Sequence, residues 1–250
     1  MRKVRATILL VASLLIATLV AAPQMSARST AVNGPEAPKV RSNVLEPVNM
    51  AILIQDDLVS HVSNELKITA EFIRSLPEGS RVMVGYITAG SLQVRQPFTR
   101  DLNAAAKSLR ILVSNTSATP FNPYVEVLEA LRKFDKVDNK VTNRNVLLLI
   151  SDGLDTSRGF DASSVLFSVD LERAIKEAGR RKVAIYSFFA PSTGLTRRNH
   201  LLASYGQSSL NRISKETGGE AFFQGMTDFV SFNSHFERLS QALNQKEYQD

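Results

Sequence analysis

From Val48 onward, apolar positions alternate between short unbroken runs and longer stretches of helical period. Met50–Ile54 is an apolar run closed by Gln55-Asp56-Asp57, the pattern of a strand buried on both faces. Val62, Leu66, Ile73 and Leu76 then recur at helical spacing and stop at Pro77-Glu78-Gly79. Arg81–Ile87 and Leu92–Phe98 read as two strands joined at Ala89-Gly90-Ser91. Asp101 opens a predicted helix through Ala105, Leu109 and Leu112, and Tyr124, Val127, Leu128, Leu131 and Phe134 mark another. Asn145–Ile150 is the most apolar stretch after the N-terminus and reads as the central strand. A helix on Leu171, Ala174, Ile175 and Ala178 follows, then a strand over Val183–Phe189. A helix carrying Leu210 and Ile213 ends at Gly218-Gly219, where glycine accepts the left-handed cap conformation. Ala221–Phe223 is a short strand and Phe229–Leu243 a last helix.

Strands separated by helices pair in parallel through right-handed crossovers. The expected fold is therefore a three-layer, Rossmann-like α/β sandwich with helices on both faces of a mostly parallel sheet. The strand entered by the tight turn supplies one antiparallel edge. The domain spans 48–245, without internal repeat or linker.

Ahead of it, Met1–Arg5 is basic and Ala6–Ala22 is apolar except for Ser13 and Thr18, the pattern of a secretory signal. We expect a signal peptide over 1–27, with an uncleaved anchor as the alternative, and a flexible lead-in over 28–47. The protein is then exported, periplasmic or secreted, with no stable membrane insertion once the signal is cleaved. Without Arg2, Lys3 and Arg5 the formal charge of +6 falls to 27 basic against 24 acidic residues. That is a solubility-level charge and points away from nucleic acid. The chain has no cysteine, which excludes disulfides, thiol catalysis and Cys-ligated metal.

In an open α/β sheet, ligands bind beyond the carboxyl ends of the strands. The first strand ends in Asp56 and Asp57, and the central one in Ser151-Asp152-Gly153 with Asp155 beyond. Neighbouring strands would bring these carboxylates together, where a cation or a raised pKa must relieve their repulsion. Capping of helix N-termini is the alternative use of such acids. The 153–170 connection is unusually long and should lie at the rim of this site.

An apolar strand ending in Asp56 with Ser60 four residues on, a later strand ending in Ser151-Asp152-Gly153, and the Leu210–Phe223 passage together resemble a von Willebrand factor A domain of the bacterial exported type. The resemblance runs from about residue 49 to 243. It implies a metal-ion-dependent adhesion site holding Mg²⁺, or Mn²⁺ or Ca²⁺, on Asp56, Ser60, Asn122 and Asp152, with Asp57, Thr119 and Asp155 as further candidates. The family's first serine is replaced by Leu58, which takes one hydroxyl from the oxygen-rich set such ions need. Lying past the strand's end, Leu58 is expected to carry little core packing.

The function implied is a non-enzymatic module gripping a protein partner at the carboxyl edge. A metal-free assembly subunit of an envelope complex is the alternative, and a hydrolase is the third reading. No serine sits in Gly-x-Ser-x-Gly. His61 is expected in a helix's first turn, His200 in a loop and His235 on a surface. No phosphate loop is present and no small-molecule substrate is expected. The Gly179–Lys182 cations end a helix, where the dipole favours them, and Phe188-Phe189 reads as core.

Overall fold

Eight-residue runs such as Val48–Gln55 can disappear into a sheet only if both faces are covered, and the covering here is complete. In a computed structural model, which describes residues 46–88, 91–113, 122–137, 143–157, 168–224 and 230–245, all eight side chains of β1 (Val48–Gln55) are buried. The remaining strands are β2 (Arg81–Thr88), β3 (Ser91–Thr99), β4 (Arg144–Ser151), β5 (Val183–Phe189) and β6 (Ala221–Phe222). The sheet order is β3-β2-β1-β4-β5-β6. All pairings are parallel except β2–β3, so the antiparallel edge strand falls where the turn placed it.

The helices are α1 (His61–Asn64), α2 (Leu66–Ser75), α3 (Leu102–Lys107), α4 (Pro123–Lys133), α5 (Val169–Arg180), α6 (His200–Glu216) and α7 (Asn233–Gln245). The period-2 alternation of a strand sorts its side chains onto two cores. Met50, Ile52 and Ile54 join Val62, Ile73, Ala105, Phe236 and Leu239 on the face covered by α1–α3 and α7. Ala51 and Leu53 join Tyr124, Val127, Leu171, Ala174, Leu210 and Ile213 under α4, α5 and α6. The result is a three-layer sandwich. Among the described residues no helix is long and apolar enough to cross a membrane. The apolar run Ala6–Ala22 lies outside them.

Three expectations are corrected. The helix opened by Asp101 ends at Lys107 rather than reaching Leu112. Ser108 Oγ bonds back to the Ala105 carbonyl at 2.7 Å, and the Tyr86 hydroxyl takes both polar backbone groups of Arg110, drawing the chain out of helical register. His200 begins α6 instead of lying in a loop, because Asn199 caps the helix just before it. His235 is buried, not at the surface, with its ring 5.1 Å from Phe188 and 5.8 Å from Phe222.

Candidate functional site

The carboxyl edge is assembled by three strand ends. β1 and β5 flank β4, and the loops that follow them meet across β4's end. Leu58 and Ser192 form an antiparallel bridge, Val59 N–H donates to the Pro191 carbonyl at 2.9 Å, and Thr193 N–H donates to the Asp57 carbonyl at 3.0 Å. Asp152, one residue past β4, is thereby only 3% exposed. Its backbone is set by close packing on α6. Gly153 has φ +72°, and a Cβ on Gly206 would collide with the Asp152 carbonyl, so helix and strand end touch with no side chain between them.

Leu58 is fully buried in the α1–α3 core, against the expectation of a side chain free of packing. The bridge to Ser192 turns the loop inward there and makes the leucine part of the core's rim.

Gln55, the last residue of β1 and 1% exposed, organises the polar centre. Its Nε2 donates to Asp57 Oδ1 at 2.7 Å and to Asp152 Oδ1 at 3.1 Å. Its Oε1 accepts from Ser151 Oγ at 2.5 Å and from the Asp152 N–H at 3.2 Å. All of the amide's hydrogen-bonding directions are used. Thr196 Oγ1 donates to Asp152 Oδ2 at 3.4 Å, and the Leu154 N–H donates to Asp152 Oδ1 at 3.2 Å. Burial, and then the charge of Asp57, push the Asp152 carboxyl up to about 6. Burial also raises Asp57, against the lowering effect of the Gln55 bond.

The structure brings Asp57 and Asp152 together on Gln55, while Asp56, Asn122 and Asp155 have other partners. Asp56 points to the opposite face, where Arg110 grips it with two nitrogens at 2.8 Å each and the Val113 N–H adds a bond at 3.1 Å. The Arg110 guanidinium also lies 4.1 Å over the Tyr86 ring. Ser60 is exposed at the start of α1. Asn122 caps α4: its Oδ1 accepts from the Tyr124 N–H at 3.0 Å, and its Nδ2 donates to Asp170 Oδ2 at 2.9 Å. Asp155 accepts from Ser157 Oγ at 2.6 Å and from Ser168 Oγ at 2.5 Å, tying together the ends of the long connection. Thr119 lies outside the described residues, as do positions 158–167 of that connection.

Gln55 and Arg110 were not singled out from the sequence. Strand parity is the signal that finds the first. Gln55 and Asp57 continue the Leu53 face of β1 and Asp56 continues the Ile54 face, so the two adjacent acids must diverge.

This fold implies a divalent cation at the edge, and the described residues there do not fit one. Between the two carboxylates stands an N–H₂ group, which donates hydrogen bonds and offers no lone pair to a metal. The amide cannot be reversed, because the Asp152 N–H would then face another donor. Among the described residues no three carboxylate or imidazole side chains converge.

Solved structures share the fold. The chain is similar to an aerotolerance-related membrane protein from Bacteroides fragilis at 14% identity and a TM-score of 0.52, covering 79% of this chain and 99% of that one. It is similar to BatB from Bacteroides thetaiotaomicron at 15% identity and a TM-score of 0.53, covering 80% and 98%. A von Willebrand factor type A protein from Catenulispora acidiphila aligns at 17% identity and a TM-score of 0.51, over 80% of this chain and 42% of that one. No family model matches the sequence, and neither does any curated protein. The fold is thus that of a von Willebrand factor A domain.

Proposed function

We propose that this chain is an exported, non-enzymatic protein-binding module that engages its partner at the carboxyl edge of the sheet without a metal ion. One observation carries the reading. The exposed large apolar side chains of the described residues are Ile111, Val113, Val125, Val169 and Leu201, and all five sit at that edge. Ile111 and Val113 flank the Leu112 N–H that donates to Ser63 Oγ, and the Val113 N–H bonds Asp56 at the end of β1. Val125, Val169 and Leu201 occupy the first turns of α4, α5 and α6, which start there. Ile111 is 75% exposed and Val113 68%, the two most exposed of the five.

The non-enzymatic reading is supported by the histidines of the described residues. His61 and His200 are exposed, and His235 is enclosed by aromatic rings. Export rests on the basic and apolar N-terminal residues, and the likeness to an aerotolerance-related membrane protein fits a place at the cell envelope. A permanent assembly subunit would use the same surface, and would differ in holding its partner through high salt.

The test is capture from envelope extract of the native source, in chelator throughout. Wild type and an Ile111→Asp/Val113→Asp double variant, both changed positions being solvent-facing, are compared. A polypeptide held by the wild type and released by the variant is the expected result. Identical captured sets would overturn the reading.

A further inference from the structure

We propose that the side-chain amide of Gln55 does the electrostatic work of the absent ion, so that the identity of this one residue makes the edge indifferent to metals. The proposal concerns the same edge as the partner-binding reading, but its test reads ion binding and not partner binding, so either can fail alone.

The geometry is specific. Two carboxylates, Asp57 and Asp152, direct one oxygen each at a single nitrogen, 2.7 and 3.1 Å away. Two like charges that close need a positive partner. The amide offers two polarised N–H bonds and no lone pair, so it supplies positive potential without needing to be filled from solution. Its oxygen is held from behind by Ser151 Oγ and by the Asp152 N–H, which keeps the donor end forward. Gln55 is 1% exposed and Asp152 3%, with Asp57 part-buried beside them, so an ion taking the nitrogen's place would have to shed much of its water shell.

A carboxylate of the same shape reverses the logic. Gln55→Glu replaces the donor by an oxygen within hydrogen-bond distance of two others, and three carboxylates in contact can be relieved only by a cation or by protons. The change therefore creates an oxygen cluster of the kind divalent ions occupy, without altering the volume of the site.

The measurement is thermal melting and titration calorimetry of the full chain, in chelator and in millimolar Mg²⁺ or Mn²⁺. The wild type should melt at one temperature in all three conditions and show no saturable heat of binding. Gln55→Glu should melt lower in chelator, regain several degrees with Mn²⁺ and bind it saturably. Adding Asp152→Asn to that variant should abolish the gain. Gln55→Leu should be destabilised equally with and without metal, since it removes the donor and adds no ligand. Saturable Mn²⁺ binding by the wild type, lost in Asp152→Asn, overturns the proposal. So does a folded Gln55→Glu protein that melts alike in chelator and in metal. If Gln55→Glu does not fold in either condition, the wild-type titration decides: silence supports the amide, and binding overturns it.

Discussion

At the scale of single residues, two buried side chains carry measurable consequences. Leu58 stands where the resemblance places a hydroxyl ligand, yet it is fully buried in the larger core. Truncating a buried leucine costs about 2–5 kcal/mol. Leu58→Ser should therefore lower the urea midpoint by that order and leave the melting response to Mg²⁺ flat; a stabilised variant with a new ion response would contradict the packing. His235 is surrounded by Phe188, Phe222 and Phe232, with Arg238 as the nearby charge. Burial, reinforced by Arg238, lowers its pKa from about 6.5 to about 4. Above the unfolded value the ring is neutral in both states and contributes nothing to pH dependence. As pH falls from 6.5 towards 4 the unfolded chain takes up a proton that the folded chain refuses, so stability is lost in that window. At about 1.4 kcal/mol per unit the loss is on the order of 3 kcal/mol. His235→Phe should remove that part of the slope, seen as a smaller drop in urea midpoint between pH 7 and pH 4.5.

At the scale of elements, the strands and most helices were legible because burial leaves a period in the sequence. The unbroken run from Val146 to Ile150 could only be a central strand. The segment after α3 was not legible, because its shape is set by partners distant in the chain. Leu109 and Leu112 keep helical spacing by accident, while the Tyr86 hydroxyl and the Asp56 carboxylate hold Arg110 and Val113 in an extended path. That node is what lifts Ile111 and Val113 into solvent. Arg110→Met leaves the Asp56 carboxylate, only 13% exposed, without its two-nitrogen partner, so it should lower the melting temperature as well as partner capture. Wild-type capture by a folded Arg110→Met protein would mean the segment is structural only. The candidate site was half legible. Asp152 follows from the central strand's end, whereas the choice between Asp56 and Asp57 depends on how far β1 extends before it turns. A helix–strand contact decides the rest of the site's geometry. Gly206→Ala places a methyl against the Asp152 carbonyl, and should cost several kcal/mol by displacing α6 or the strand end, read as a lowered melting temperature.

At the scale of the molecule, the three layers give the sheet a working edge, and its two lateral margins are unsuited to pairing with another chain. β6 contributes only Ala221 and Phe222, and β3 carries Pro97 and an irregular register against β2. Short strands, bulges and proline are the devices that keep sheet margins from recruiting neighbours. This is in keeping with the proposed use of the carboxyl edge for association. If export proceeds as the N-terminal pattern implies, intact mass of the protein recovered outside the cytoplasm should match a chain starting near residue 28; a mass retaining Met1 would point to an anchor. The latch between Leu58 and Ser192 bears on time as well as on shape. It joins the loop after the first strand to the loop after the fifth, so β4, which lies between them in the sheet, must be in place before it closes. Contacts between such remote segments carry the largest entropic cost of closure and form late. A chain still folding, or one truncated before β5, has the acids and the glutamine but not the roof that gathers them. On the proposed reading, competence for binding arrives only once β5 has joined the sheet and its following loop has met the loop after β1.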